Sequence, residues 1–171
     1  MPVTFPLPLN LTTKAESFMA VKSWWSITTL VAASILSCTS LYAADNLKLN
    51  QHLDYTSDSQ DGPLITGDNL STGSATGKPN YIIIYAEGCF NSKQQARRTV
   101  NLYQRYRDRV NFVIVDLDQH PSPAQQPLLK SFYKGYIPTV VVLDSKGEAL
   151  YSRAGEEDEA ALSHLLDQAL K

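Results

Sequence analysis

Tyr81-Ile82-Ile83-Ile84-Tyr85-Ala86-Glu87-Gly88-Cys89-Phe90-Asn91-Ser92-Lys93 is the stretch on which the fold turns. Its first five residues are β-branched or aromatic with no polar interruption. That composition suits a strand buried on both faces of a parallel sheet. The run ends in Glu-Gly-Cys, and Ser92 to Val110 then carries apolar residues at 96, 100, 103 and 110, with Leu102 and Tyr106 beside them. This spacing predicts a helix with Arg97, Arg98, Arg105 and Arg107 mostly on its other faces.

Downstream the alternation continues. Phe112-Val113-Ile114-Val115 predicts a second buried strand, and a short helix is expected from Pro127 to Tyr133. Thr139–Leu143 and Ala149–Ser152 flank Asp144-Ser145-Lys146-Gly147, a hairpin turn. Glu156 to Leu170 has an acidic first turn and apolar Leu162, Leu165, Leu166 and Ala169, and so predicts a closing helix. Residues 78–171 therefore form an α/β domain, a central mixed sheet with helices on both faces.

Upstream the character changes. Residues 44–77 are dominated by Asp, Asn, Ser, Thr and Gly, and are expected to be a flexible lead-in. Leu47–Leu53 and Leu64-Ile65 could pair as edge strands, while Ser71–Gly77 reads as solvated linker. As a tether, this stretch would reach about 30 Å.

No charge occurs from Ser23 to Ala44, Lys22 precedes that run, and Trp24–Leu36 is its apolar centre. A basic flank, an apolar stretch and small residues before a polar chain describe a signal peptide, here residues 1–43, cleaved after Ala43. Met19 is an alternative start. Ile35-Leu36-Ser37-Cys38 also resembles a lipobox, in which Cys38 would be acylated. An uncleaved anchor is a third reading, weakened by seven Ser and Thr residues between Trp24 and Ser40. Each reading exports the domain to a periplasmic or membrane-anchored, extracytoplasmic setting. Membrane contact would come only through this segment or a lipid on Cys38. In each reading, Cys89 is the single cysteine of the folded domain.

The whole chain is 43% apolar and 19% charged, with 15 Lys and Arg against 17 Asp and Glu and a net charge of −2. This composition is that of a folded protein and gives no footprint for nucleic acid. Two cysteines are too few for a disulfide scaffold or a four-cysteine zinc site, and His52, His120 and His164 show no metal-ligand spacing.

Lys78 to Lys171 resembles a thioredoxin domain. Cys89-Phe90-Asn91-Ser92-Lys93 stands where that family has Cys-Gly-Pro-Cys-Lys. Asp118-Gln119-His120-Pro121 follows the next strand, as a similar tetrapeptide does there. Ile137-Pro138-Thr139 is similar to the family's Ile-Pro-Thr loop, and Gly147 and Gly155 match its hairpin and final-helix glycines. The resemblance implies the thioredoxin fold, with a cis proline at 138 facing the cysteine. It also implies thiol–disulfide exchange at Cys89 beside Ser92, substrate held along Ile137, Pro138 and Thr139, and no metal or cofactor. The expected partners are protein thiols or disulfides, with glutathione as a further candidate.

The departures from the family matter equally. Ser92 replaces the second cysteine and Gly88 the usual tryptophan. Ile83 and Ile114 stand where the family has a buried Asp and its Lys neighbour. With no second cysteine to deprotonate, an apolar pair avoids the cost of buried charge.

A thiol at a helix N-terminus gains thiolate character. Its intrinsic nucleophilicity falls along with its basicity, so a drop in pKa of about two units raises attack at neutral pH only about threefold. Ser92 is expected to donate a hydrogen bond to the thiolate, although it cannot resolve a mixed disulfide. Two functions follow: monothiol exchange through Cys89, or a redox-inactive binding module presenting the Pro138 loop, Tyr133, Tyr136 and the arginine-bearing helix. Among the remaining candidates, His120 reads as a solvated loop histidine, and Asp116 and Asp118 as a cap and a surface charge. Arg97 to Arg109 read as a solvated face balanced by acidic neighbours. Glu156 to Glu159 read as dipole complementarity rather than a calcium site.

Overall fold

A computed structural model describes residues 43–171. The expected signal peptide, the alternative start at Met19 and the expected lipidation of Cys38 fall on residues outside those described. In chain order the elements are β1 (Asp45–Leu49), β2 (Ile65–Asp68), β3 (Asn80–Tyr85), α1 (Phe90–Tyr106), β4 (Asn111–Asp116), α2 (Gln126–Phe132), β5 (Thr139–Leu143), β6 (Ala149–Ala154) and α3 (Glu159–Ala169).

Strands β3 to β6 form one sheet in the order β4-β3-β5-β6. The uninterrupted apolar run of β3 puts it in the middle. It pairs parallel with β4 (Ile83 opposite Ile114) and antiparallel with β5 (Ile83 opposite Val140), and all six of its residues are buried. Ile83 and Ile114 are thus adjacent and buried, an apolar contact where a charged pair would have had to be desolvated.

The two-residue period of the strands sorts side chains onto two cores. Tyr81, Ile83, Tyr85, Phe112, Ile114 and Val142 pack with Leu102, Tyr103 and Tyr106 of α1 and Leu162 and Leu166 of α3. On the opposite face Ile82, Ile84, Val113, Val115 and Val141 pack with Leu128 of α2. The Asp144–Gly147 hairpin forms as expected, with Asp144 N–H donating to Glu148 O at 2.9 Å and Gly147 at φ +87°.

Helix α3 begins three residues later than the acidic pattern predicts, because the Asp158 carboxylate accepts the Ala160 N–H at 2.8 Å and caps it there. Glu159 stands in the first turn of α3, and Glu156 and Glu159 also form ion pairs with Arg98 (2.9 Å) and Arg105 (2.6 Å) of α1. The arginine face is thus partly neutralised by Glu156, just before α3, and Glu159, its first residue.

Residues 44–77 are not the flexible lead-in that their composition suggests. Strands β1 and β2 pair antiparallel, as the short apolar pieces allowed. Leu47, Leu64 and Ile65 are completely buried in the core that holds α1 and α3. Ala44 joins them, Leu49, Leu53, Tyr55 and Leu70 pack against the same core, and polar groups lock the rest in place. Tyr103 accepts the Asn46 N–H at 2.9 Å and donates to Asp45. The Asn80 side chain donates to Ala75 O (2.8 Å) and Lys78 O (3.0 Å) and accepts from Ala75 N–H, while Asn111 donates to Gly73 O. Ser71–Gly77 is therefore stitched to the start of the parallel strand pair.

At the outer edge of β4, the buried Gln125 amide donates to both Ile114 O (2.9 Å) and Leu70 O (2.7 Å). The lead-in thereby covers an edge that would otherwise expose unpaired backbone groups.

Candidate functional site: Cys89 at the tip of helix α1

Cys89 is the N-cap residue of α1, in extended backbone (φ −94°, ψ 122°), and its side chain makes no capping hydrogen bond. Its carbonyl accepts the Lys93 N–H at 3.0 Å, and its thiol is free and half-buried. The helix thus starts two residues earlier than its apolar spacing indicates, and the sulfur stands at its tip.

The adjacent N–H group is already engaged. Phe90 N–H donates to Asp58 Oδ1 at 2.6 Å. The carboxylate that satisfies this helix end comes from the lead-in and not from the motif.

Ser92 does not make the hydrogen bond expected of it. It is completely buried, and its Oγ has no hydrogen-bond partner. Its zero exposure puts it on the inward face of the first helical turn, away from the solvent that reaches the thiol.

Lys93 is the largest surprise of the motif. It is completely buried, and its Nζ donates to Asp54 O (2.6 Å), Ser57 O (2.9 Å) and Ser59 Oγ (2.7 Å). All three ammonium protons find acceptors, which is what allows a lysine to be buried. Gln94 adds a bond to Tyr55 O at 2.9 Å, and the Gln60 amide reaches Asp118 Oδ1 at 3.1 Å. Residues 54–60 are therefore a strap laid across the start of α1 and fastened on both sides of Cys89. Within it, the Ser57 and Thr56 side chains and the Thr56 N–H bond the Asp54 carboxylate, and with a smaller pull from Lys93 hold its pKa at about 2.

The acidic residues just before the thiol form a second group. Glu87 is buried, its N–H donates to Asp118 Oδ2 at 2.7 Å, and its Oε1 accepts from Gln119 at 3.0 Å. Asp118 is exposed, as read from the sequence, and its carboxylate accepts from the Glu87 N–H and the Gln60 amide. Asp116 is buried, which its reading as a cap does not anticipate. One of its oxygens accepts the Asp118 N–H at 3.1 Å and the other has no partner. Burial, reinforced by the charges of Glu87 and Asp118, pushes its pKa up to about 7. Asp116 lines a cavity of about 150 Å³ together with Ile65, Leu70, Tyr85, Ile114 and Gln125. His120, also on that wall, is exposed, as expected of a loop histidine.

The Ile137–Pro138 peptide bond is cis. Pro138 O accepts the Gly155 N–H at 2.8 Å, and Thr139 pairs with Ile84 in the sheet. Since Cys89 follows β3 and Pro138 precedes β5, the antiparallel pairing puts both at one end of the sheet. Ile137 is half-buried, whereas Pro138 and Thr139 are buried, and the Thr139 hydroxyl is spent on Tyr136 O at 2.7 Å. Phe90 and Tyr136 are exposed beside the two halves of this site, Tyr136 to 70%. Phe90 carries no sequence signal beyond standing next to Cys89.

A parallel strand–helix–strand unit, an antiparallel hairpin added to its other side, a cysteine at the first helix tip and a proline turn at the same sheet end together decide the architecture. This is a thioredoxin-like fold. No family model matches the chain, and no curated protein matches it. Solved thioredoxins and a related protein are similar at low identity. A thioredoxin-2 from the malaria parasite is 20% identical with a TM-score of 0.47, over 56% of this chain and 86% of that one. An exposed lipoprotein thioredoxin of Streptococcus pneumoniae is 15% identical with a TM-score of 0.46, over 54% and 86%. A putative thiol:disulfide interchange protein of Chlorobium tepidum is 20% identical with a TM-score of 0.46, over 63% and 88%.

Proposed function

We propose that this protein carries out monothiol–disulfide exchange through Cys89 in an extracytoplasmic compartment. The observation that carries the reading is a free, solvent-reached thiol at the tip of α1, at the sheet end that also bears Pro138. The Cys89 thiolate attacks one sulfur of a substrate disulfide. A bond forms from Cys89 to that sulfur, the substrate S–S bond breaks, and the departing thiolate takes a proton. Ser92 has no sulfur with which to displace the adduct, so a second, external thiol must attack the mixed disulfide and restore Cys89. Substrate would lie along the backbone at Ile137 and Pro138 as a short added strand.

Trapping tests this. Wild type and Cys89→Ala are recovered under non-reducing conditions and their covalent partners compared. Partners joined through the thiol and lost with it support exchange. Partners retained by Cys89→Ala would instead identify a docking module, a reading favoured by the exposed Phe90 and Tyr136 and by the prior engagement of the Phe90 N–H by Asp58.

A further inference from the structure

The strap brings charge to the thiol. Asp58 Oδ1 lies 2.6 Å from Phe90 N. Covalent geometry alone then puts this carboxylate within about 7 Å of Cys89 Sγ. Glu87 stands two residues before the cysteine, and Asp118 is bonded to the Glu87 N–H. Gln60 ties that second carboxylate to the same strap.

The segments that build this end of the domain, 54–61, 85–93, 116–121 and 134–139, carry Asp54, Asp58, Asp61, Glu87, Asp116 and Asp118. Against these stand Lys93, Lys134 and His120. Lys93 is buried with all three of its protons committed to the strap and faces Asp54, so it is not available to an incoming anion. The environment of the thiol is therefore net negative, and its most closely fixed charge is Asp58.

We infer that Asp58 is a specificity-determining residue that turns Cys89 away from anionic disulfides such as oxidised glutathione and toward cationic or neutral ones, a basic peptide segment above all. This rests on the monothiol reading of Cys89 and adds the charge of its substrate. The chemistry is the exchange already written, with the substrate's second sulfur leaving as a thiol.

The test is the rate at which the full chain forms a mixed disulfide, read by intact mass, with three small probes. These are cystamine (two positive charges), hydroxyethyl disulfide (none) and oxidised glutathione (net two negative charges). Each rate is divided by that of uncharged N-acetylcysteine amide with the same probe, which cancels intrinsic reactivity. In water, one unit of charge difference at about 8 Å changes a rate about twofold. Four units separate the outer probes, so cystamine should lead glutathione by at least about tenfold at low salt. The preference should collapse at about 0.5 M salt, where the screening length falls below that distance. Asp58→Asn, which keeps an oxygen to accept the Phe90 N–H, should cut the preference about threefold or more.

Glutathione reacting as fast as cystamine overturns the inference while leaving exchange intact. An unchanged preference in Asp58→Asn overturns the assignment to Asp58. Failure of all three probes to react overturns the monothiol reading itself, and the selectivity falls with it.

Discussion

Asp116→Asn should stabilise the protein, by an amount that grows as pH rises from about 4 to about 7 and is full above that. In the fold this carboxyl has one oxygen on the Asp118 N–H, another without a partner, and the charges of Glu87 and Asp118 nearby. Its pKa rises from 3.8 to about 7, with burial as the largest cause. A group whose folded pKa lies above its unfolded one holds its proton more tightly in the fold, so ionisation works against folding. The penalty is absent below the unfolded value of 3.8, builds between there and about 7, and is complete above that.

Three units correspond to about 4 kcal/mol as an upper bound. Solvent at the rim, where Asp118 and His120 are exposed, screens this to about 1–2 kcal/mol. The asparagine keeps the oxygen that accepts the Asp118 N–H and offers its N–H groups to the two carboxylates that repel the aspartate. Thermal unfolding of both proteins across pH is the assay. The variant should melt about 4–8 °C higher at about pH 8 and nearly level with wild type at about pH 4. Parallel profiles, or a variant that loses ground as pH rises, would refute the account of the buried carboxyl.

Three further outcomes follow from the same geometry. Lys93→Met keeps the aliphatic stem but leaves Asp54 O, Ser57 O and Ser59 Oγ without a donor. It should cost about 2–4 kcal/mol and open residues 54–60 to limited proteolysis, and an uncleaved strap would count against the clamp. Leu47→Ala removes a fully buried side chain and should cost about 2–4 kcal/mol in denaturant unfolding; a loss near zero would return residues 44–77 to the status of a tether. Ser92→Cys replaces a hydroxyl that has no partner with a thiol able to resolve a mixed disulfide. It should shorten the adduct lifetime on Cys89 at least about tenfold by intact mass, and an equally long-lived adduct would mean that the two side chains do not meet.

Where the sequence was informative, one kind of burial dominated. The β3 run is apolar at every position because both faces are covered, so its place at the centre of the sheet is visible in five residues. The hairpin was visible because Gly147 supplies a positive φ that other residues avoid. The lead-in carried no such signal. Leu47, Leu64 and Ile65 are its fully buried anchors in the core, and much of the rest depends on acceptors such as Gly73 O and Leu70 O, which every residue owns whatever its side chain. Lys93 was hidden for the same reason. A lysine is normally exposed, and nothing in Cys89–Lys93 announces that two backbone carbonyls and a serine, 34 to 39 residues upstream, would close over it. Asp116 was misread because its strand position says which face it takes but not what covers that face, and the cover, Ile65 and Leu70, comes from the lead-in.

These misreadings share one origin, and it bears on chemistry as well as stability. The lead-in supplies Leu47 to the core and a cover to the edge of β4, and it also supplies the Asp58 carboxylate to the N–H group beside Cys89. A helix end that a carboxylate already occupies has less to offer a second anion, because the first has satisfied the donor and cancelled part of the local positive field. Reactivity at Cys89 and docking of residues 54–60 are therefore linked thermodynamically. Whatever loosens the strap frees the Phe90 N–H for the thiolate, and whatever holds a negative charge at Cys89 weakens the strap by the same free energy. Lys93 sets the stiffness of that linkage, since its ammonium holds the strap without touching Asp58. Alkylation of Cys89 by a neutral reagent should accordingly quicken in Lys93→Met, where Asp58 is intact but its strap is loose. Unchanged alkylation there, alongside cleavage of the loosened strap, would separate the two and show that the strap shields the core without governing the thiol.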